Sequence, residues 1–149
     1  MKILCWSMIA ILATLQGACA QSPAFNAQSF KASYEQAFRD KDAEYFENLF
    51  SKDFWVGNQY KNREQALRAI RQMFEEYADL QADFEIKSVK VLPGKKSLIM
   101  NARMFLQGHR ASDGQAVTIN EVVGGAIYVF ERGAWRLYKT VEKTLSAPN

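Results

Sequence analysis

Glu121 and Arg103 are the two side chains of this sequence with the most chemistry to offer. Each sits in a run whose apolar residues recur at every second position, Glu121 with Val117, Ile119 and Val123, and Arg103 with Ile99 and Phe105. Were those positions to face an enclosed interior, Glu121 would point into apolar space. Loss of hydration there raises a carboxyl pKa toward neutrality and makes it a usable general base, with Arg103 as its partner or as a polarising donor. The bland alternative puts both on the outer face as a structural ion pair, and a bulge in either strand reverses the parity. Other chemistries have less to draw on. The single histidine, His109, stands beside the turn at 110–114 and reads as a solvated side chain, not as the base of a Ser-His-Asp or Cys-His arrangement. Cys5 and Cys19 both fall in the first 20 residues, so no thiol or disulfide is expected beyond them. One histidine without cysteine makes a poor ligand set, and no phosphate-binding glycine loop is found, so neither metal nor cofactor is expected.

The elements that must position these groups are legible along the chain. It has 149 residues, 48% of them hydrophobic and 13% aromatic, with a formal charge of +3. That is enough apolar material for one folded domain, and too little charge asymmetry for a nucleic-acid partner. Met1-Lys2, the apolar run Ile3 to Leu15 and the small residues Ala18-Cys19-Ala20 read as a secretory signal peptide over 1–20, cleaved after Ala20. The expectation is a periplasmic or secreted protein with a single domain over 21–149. No segment approaches the ~20 apolar residues that a membrane-spanning helix requires.

Phe30, Tyr34, Ala37 and Phe38 share one helical face, predicting a first helix over about 28–41. Asp42 caps a second helix carrying Tyr45, Phe46, Leu49 and Phe50 inward. A short strand, Phe54-Trp55-Val56, ends at Gly57-Asn58. Asn62 with Gln65 then makes a capping box for a third helix that turns Ala66, Leu67, Ile70, Met73, Phe74 and Tyr77 inward. Its outer face offers the pairs Glu64 with Arg68 and Arg71 with Glu75. From Phe84 the period changes to two, with strands near 84–92, 97–109, 116–131 and 134–143. Turns fall at Pro93-Gly94-Lys95-Lys96, Ser112-Asp113-Gly114 and Arg132-Gly133, making an antiparallel meander. A bulge or bend is expected at Gly124-Gly125.

This order of elements resembles the nuclear-transport-factor-2-like superfamily, which includes ketosteroid-isomerase-like and polyketide-cyclase-like domains. The resemblance is carried by the helix from Tyr34 to Asp42, the segment Asp53-Phe54-Trp55-Val56-Gly57, the helix start Asn62-Arg63-Glu64-Gln65-Ala66-Leu67 and the closing Gly133-Ala134-Trp135-Arg136-Leu137. It implies an α+β fold in which three N-terminal helices pack in the concave face of a strongly curved antiparallel sheet, a cone-like barrel. It further implies a cavity between sheet and helices, with Tyr34, Phe38, Phe54, Trp55 and Tyr60 as its ligand-binding lining, and a homodimer formed through the outer sheet face. The function expected is an exported pocket protein for a small, largely apolar molecule. The alternatives are a ketosteroid-isomerase-like or cyclase-like enzyme with Glu121 as base and Arg103 or Tyr34 as donor, and an immunity-type module using the outer sheet face.

Overall fold

A computed structural model describes residues 24–57, 61–94 and 96–143. The signal peptide expected over 1–20 lies outside them, as does Tyr60. The order is α1 (Ala27–Arg39), α2 (Ala43–Leu49), β1 (Phe50–Val56), β2 (Lys61–Asn62), α3 (Arg63–Glu76), β3 (Tyr77–Val91), β4 (Ser97–Arg110), β5 (Ala116–Glu131) and β6 (Ala134–Val141). None of these helices is long and apolar enough to cross a membrane.

Local chemistry sets the helix starts. The Asn26 side chain accepts from the Ser29 N–H at 2.9 Å, and Asp42 accepts from the Tyr45 N–H at 2.9 Å. Asn62 and Gln65 form the expected capping box, at 2.9 and 3.2 Å. Each satisfies amide groups that the first helical turn leaves unbonded. On α3, Arg71 reaches not along its own helix to Glu75 but across to Glu47 of α2, whose backbone carbonyl also accepts from Arg63 at 2.7 Å.

The sheet runs β2-β1-β6-β5-β4-β3 and is open. Strands β3 to β6 form the antiparallel meander, turned between β5 and β6 by Arg132 and Gly133, both at positive φ (51° and 77°), the geometry a two-residue hairpin demands. The fully antiparallel expectation needs one correction: β1 pairs with β6 in parallel, Phe50 opposite Leu137 and Trp55 opposite Lys139. The long excursion through α3 and the meander separates these two strands, which frees them from hairpin geometry. A second correction concerns β3, which begins at Tyr77 directly from α3. Asp79 at φ 49° and a register break between Ala78 and Gln81 interrupt the alternation that would have revealed it.

Inner and outer faces alternate. Leu80, Ala82 and Phe84 of β3 are buried inward while Gln81, Asp83 and Glu85 are exposed. The core is largely aromatic. Phe46 is fully buried, its ring centroid 4.9 Å from Phe38 and 6.0 Å from Phe74, and Phe50 stacks on Phe54 at 4.4 Å. Helix α1 crosses the inner face with Phe30 and Tyr34 on Phe84, at 5.9 and 4.8 Å.

Glu35 fastens α1 to the edge strand by accepting from the Phe84 N–H at 2.9 Å, with Lys31 3.0 Å from its carboxylate. Burial alone would push this carboxyl up, but the Phe84 N–H and the Lys31 ammonium outweigh it and hold the pKa below its ordinary value. The stability it contributes is therefore complete above the ordinary carboxylate range and lost as pH falls through the depressed value. Glu35→Ala should cost about 1 kcal/mol in urea unfolding at pH 7. The difference from the parent should shrink as pH drops below about 4.5. An unchanged midpoint at pH 7 would count against the bond.

Candidate functional site

Small residues opposite one another on neighbouring strands leave the inner face hollow. Ala102 of β4 lies opposite Gly124 of β5, and Ala126 follows on the same face of β5. Larger side chains ring this shallow patch: Phe84 from β3, Met100 and Met104 from β4, Tyr128 from β5, Leu137 from β6 and Tyr34 from α1. The result is a cavity of about 280 Å³ between sheet and helix, bordered also by Val56, Asn120, Val122, Thr140, Val141 and the exposed Glu142. Its lining is mostly carbon, with a few placed polar groups, the usual constitution of a small-molecule site.

Gly124 matters sterically, for a Cβ there would lie 2.4 Å from the Val141 carbonyl oxygen. The glycine lets the end of β6 close on β5 beside the cavity. No bulge falls at Gly124-Gly125: pairing runs unbroken through Ala102 with Gly124 and Asn101 with Gly125. The irregularities fall at Ile119 and Tyr138.

Among the cavity's polar groups, the Tyr34 hydroxyl donates to the Met104 sulfur at 3.6 Å. A thioether is a weak acceptor, so a ligand oxygen would compete for this donor. Burial pushes the phenols of Tyr34 and Tyr128 well up from their ordinary value, keeping both protonated near neutral pH. Tyr45, whose ring centroid is 6.4 Å from that of Tyr34, is pushed up to about 12 for the same reason, with the Asp42 charge adding to it. Nowhere among the described residues do three or more His, Cys, Asp or Glu side chains gather as metal ligands would.

Of the residues expected at the site, Tyr34 lines the cavity. Phe38 is core, 3% exposed between Phe46 and Phe74. Phe54 is core as well, stacked on Phe50. Trp55 projects to the opposite side of β1 from the lining residue Val56, with the Lys139 ammonium 3.9 Å from its ring centroid. Glu121 and Arg103 do form the anticipated cross-strand pair, at 2.6 Å. That pair is on the outer face, each side chain about half exposed (51% and 47%), the arrangement of a structural ion pair and not of an enclosed base. The cause is the bulge at Ile119. Leu106 pairs with Asn120 and Gln107 with Thr118, so Ile119 is an extra residue. Beyond it Asn120, Val122 and Ala126 turn inward and Glu121 turns out. A solvated pair of this kind contributes little to stability. His109 is also exposed, 3.6 Å from Asp79. The lining of small residues at even positions went unread because glycine and alanine carry little hydrophobic signal. The opposition of Ala102 and Gly124 across the 112–114 turn was the clue available.

No family model matches the chain, and no curated protein matches it. Solved structures do. An NTF2-like protein of unknown function in nutrient uptake from Rhodospirillum rubrum superposes with a TM-score of 0.63 at 17% identity, covering 82% of this chain and 100% of its own. A putative scytalone dehydratase from Novosphingobium aromaticivorans gives 0.62 at 10% identity, covering 82% and 88%. LinA gives 0.58 at 12%, covering 76% and 80%. These likenesses establish an α+β fold of the NTF2-like kind.

The steric role of Gly124 is testable. Gly124→Ala must displace the end of β6 and should lower stability by about 1 to 3 kcal/mol in urea unfolding. A midpoint equal to the parent's would mean that Val141 yields at no cost.

Proposed function

We propose that this is an exported pocket protein that holds a small, largely apolar, uncharged molecule between Tyr34 and the inner face of the sheet. The observation that carries this reading is the cavity itself. Its volume of about 280 Å³ is roughly twice the ~150 Å³ that accommodates a benzene ring, so a molecule of one or two rings suits it. Its walls at Met100, Ala102, Val122, Ala126 and Leu137 reward apolar surface at about 25 cal/mol per Å² buried. The Tyr34 hydroxyl, bonded only to a sulfur among the described contacts, offers one donor to a carbonyl or hydroxyl oxygen of the ligand. Among the described lining no Lys, Arg or His side chain stands ready to pair with an anion. With Glu121 on the outer face, the binding reading has more geometric support than a Glu121-based reaction. A second copy seated on the outer sheet face, where Val123 is 53% exposed, belongs to the same proposal.

Native mass spectrometry of protein taken from its own host reads both points. The expected result is a dimer that releases a small neutral molecule on activation. Ala126→Leu, which fills the cavity, should reduce retention of that molecule at least about tenfold without loss of folded protein. A ligand retained equally by Ala126→Leu would place binding elsewhere.

A further inference from the structure

We infer that Met104 is an oxidation site whose sulfoxide is received by Tyr34 and turns the cavity wall from apolar to polar. The consequence for binding rests on the pocket reading above; the site itself does not. Met100 and Met104 both border the cavity from β4, but they differ in access and in company. Met100 is 1% exposed, whereas Met104 is half-buried, with its sulfur 3.6 Å from the Tyr34 hydroxyl. In the reaction with hydrogen peroxide, a lone pair on the Met104 sulfur attacks one peroxide oxygen. The S–O bond forms as the O–O bond breaks, and the departing hydroxide takes the attacked oxygen's proton and leaves as water. The thioether loses two electrons and the peroxide gains them.

A sulfoxide oxygen lodged in an apolar wall is ordinarily costly, because it is a strong acceptor with nothing to bond. Here a neutral phenol already points at the sulfur, and an oxygen placed on that sulfur brings the pair into ordinary hydrogen-bond range. Oxidation therefore does two things at once: it adds a polar atom to the lining and it occupies the donor that a ligand oxygen would use.

The test treats the full chain with dilute hydrogen peroxide and follows it by peptide mass. Trypsin cuts after Lys96, Arg103 and Arg110, which puts Met100 and Met104 on separate peptides. One added oxygen should accumulate on the 104–110 peptide about tenfold faster than on the 97–103 peptide. Oxidised parent should keep its Tm within about 2 °C, while the same oxidation of Tyr34→Phe, which leaves the new oxygen without its donor, should lower Tm by several degrees, roughly 4 °C or more. With N-phenyl-1-naphthylamine as a neutral apolar probe, peroxide should weaken binding by the parent about tenfold and leave the affinity of Met104→Leu, whatever its starting value, unchanged. Equal oxidation of the two methionines, or an equal fall in Tm for parent and Tyr34→Phe, would overturn the inference. Preferential oxidation of Met104 with no probe bound before peroxide would instead overturn the pocket reading and uphold the oxidation site.

Discussion

The Tyr34 side chain closes the core with its ring and opens the cavity with its hydroxyl, and the architecture around it depends on that double duty. Its ring lies 5.3 Å from Phe38, 5.8 Å from Phe46 and 4.8 Å from Phe84, contacts that join helix α1 to α2 and to the edge strand β3. Aromatic pairs at such distances add about 0.5 to 1.5 kcal/mol each beyond their buried area, so the ring is held from several sides at once. With the ring fixed, the hydroxyl has only the cavity side left to it. There it meets the Met104 sulfur. The next residue on the same helix, Glu35, is fixed to the same strand by its carboxylate on the Phe84 amide, which satisfies an edge-strand donor.

The cavity exists because the sheet does not rise to meet the helix. Elsewhere on the inner face, large residues such as Leu80, Leu98 and Leu106 fill the space to within a few percent of full burial. At the centre Ala102, Gly124 and Ala126 present almost nothing. A domain of this size that declines to fill part of its interior gives up dispersion contacts there. Stability and a binding space are thus separated along one sheet, the core under α1, α2 and α3 and the hollow beside it.

Most of the fold was legible in the sequence. Asp42 and the Asn62–Gln65 box mark helix starts because a side-chain oxygen bonding a nearby amide is a local event that needs no tertiary context. The turns at Gly94, Gly114 and Gly133 are legible for the same reason. Pairing across distance is not local. The parallel docking of β1 on β6 leaves no mark in either strand, and the single extra residue at Ile119 reverses the phase of everything after it while both phases look apolar in the sequence. Val117 and Ile119 set one parity, Val122, Ala126 and Tyr128 obey the other, and Glu121 falls on the outer face, one of the two placements its alternation leaves open. Of the expected lining, Tyr34 lies at the cavity because helical phase survives without bulges. Phe38 and Phe54, equally aromatic, went to the core because ring-on-ring packing had places for them.

Everything functional here presupposes a real void between Tyr34 and the sheet. Xenon enters apolar space between packed side chains and is conspicuous in diffraction. Crystals held under xenon pressure should show density beside Ala102, Ala126 and Met104, within van der Waals reach of the Tyr34 ring. Side chains closing that space, with no xenon between helix α1 and strands β4 and β5, would contradict the existence of the site.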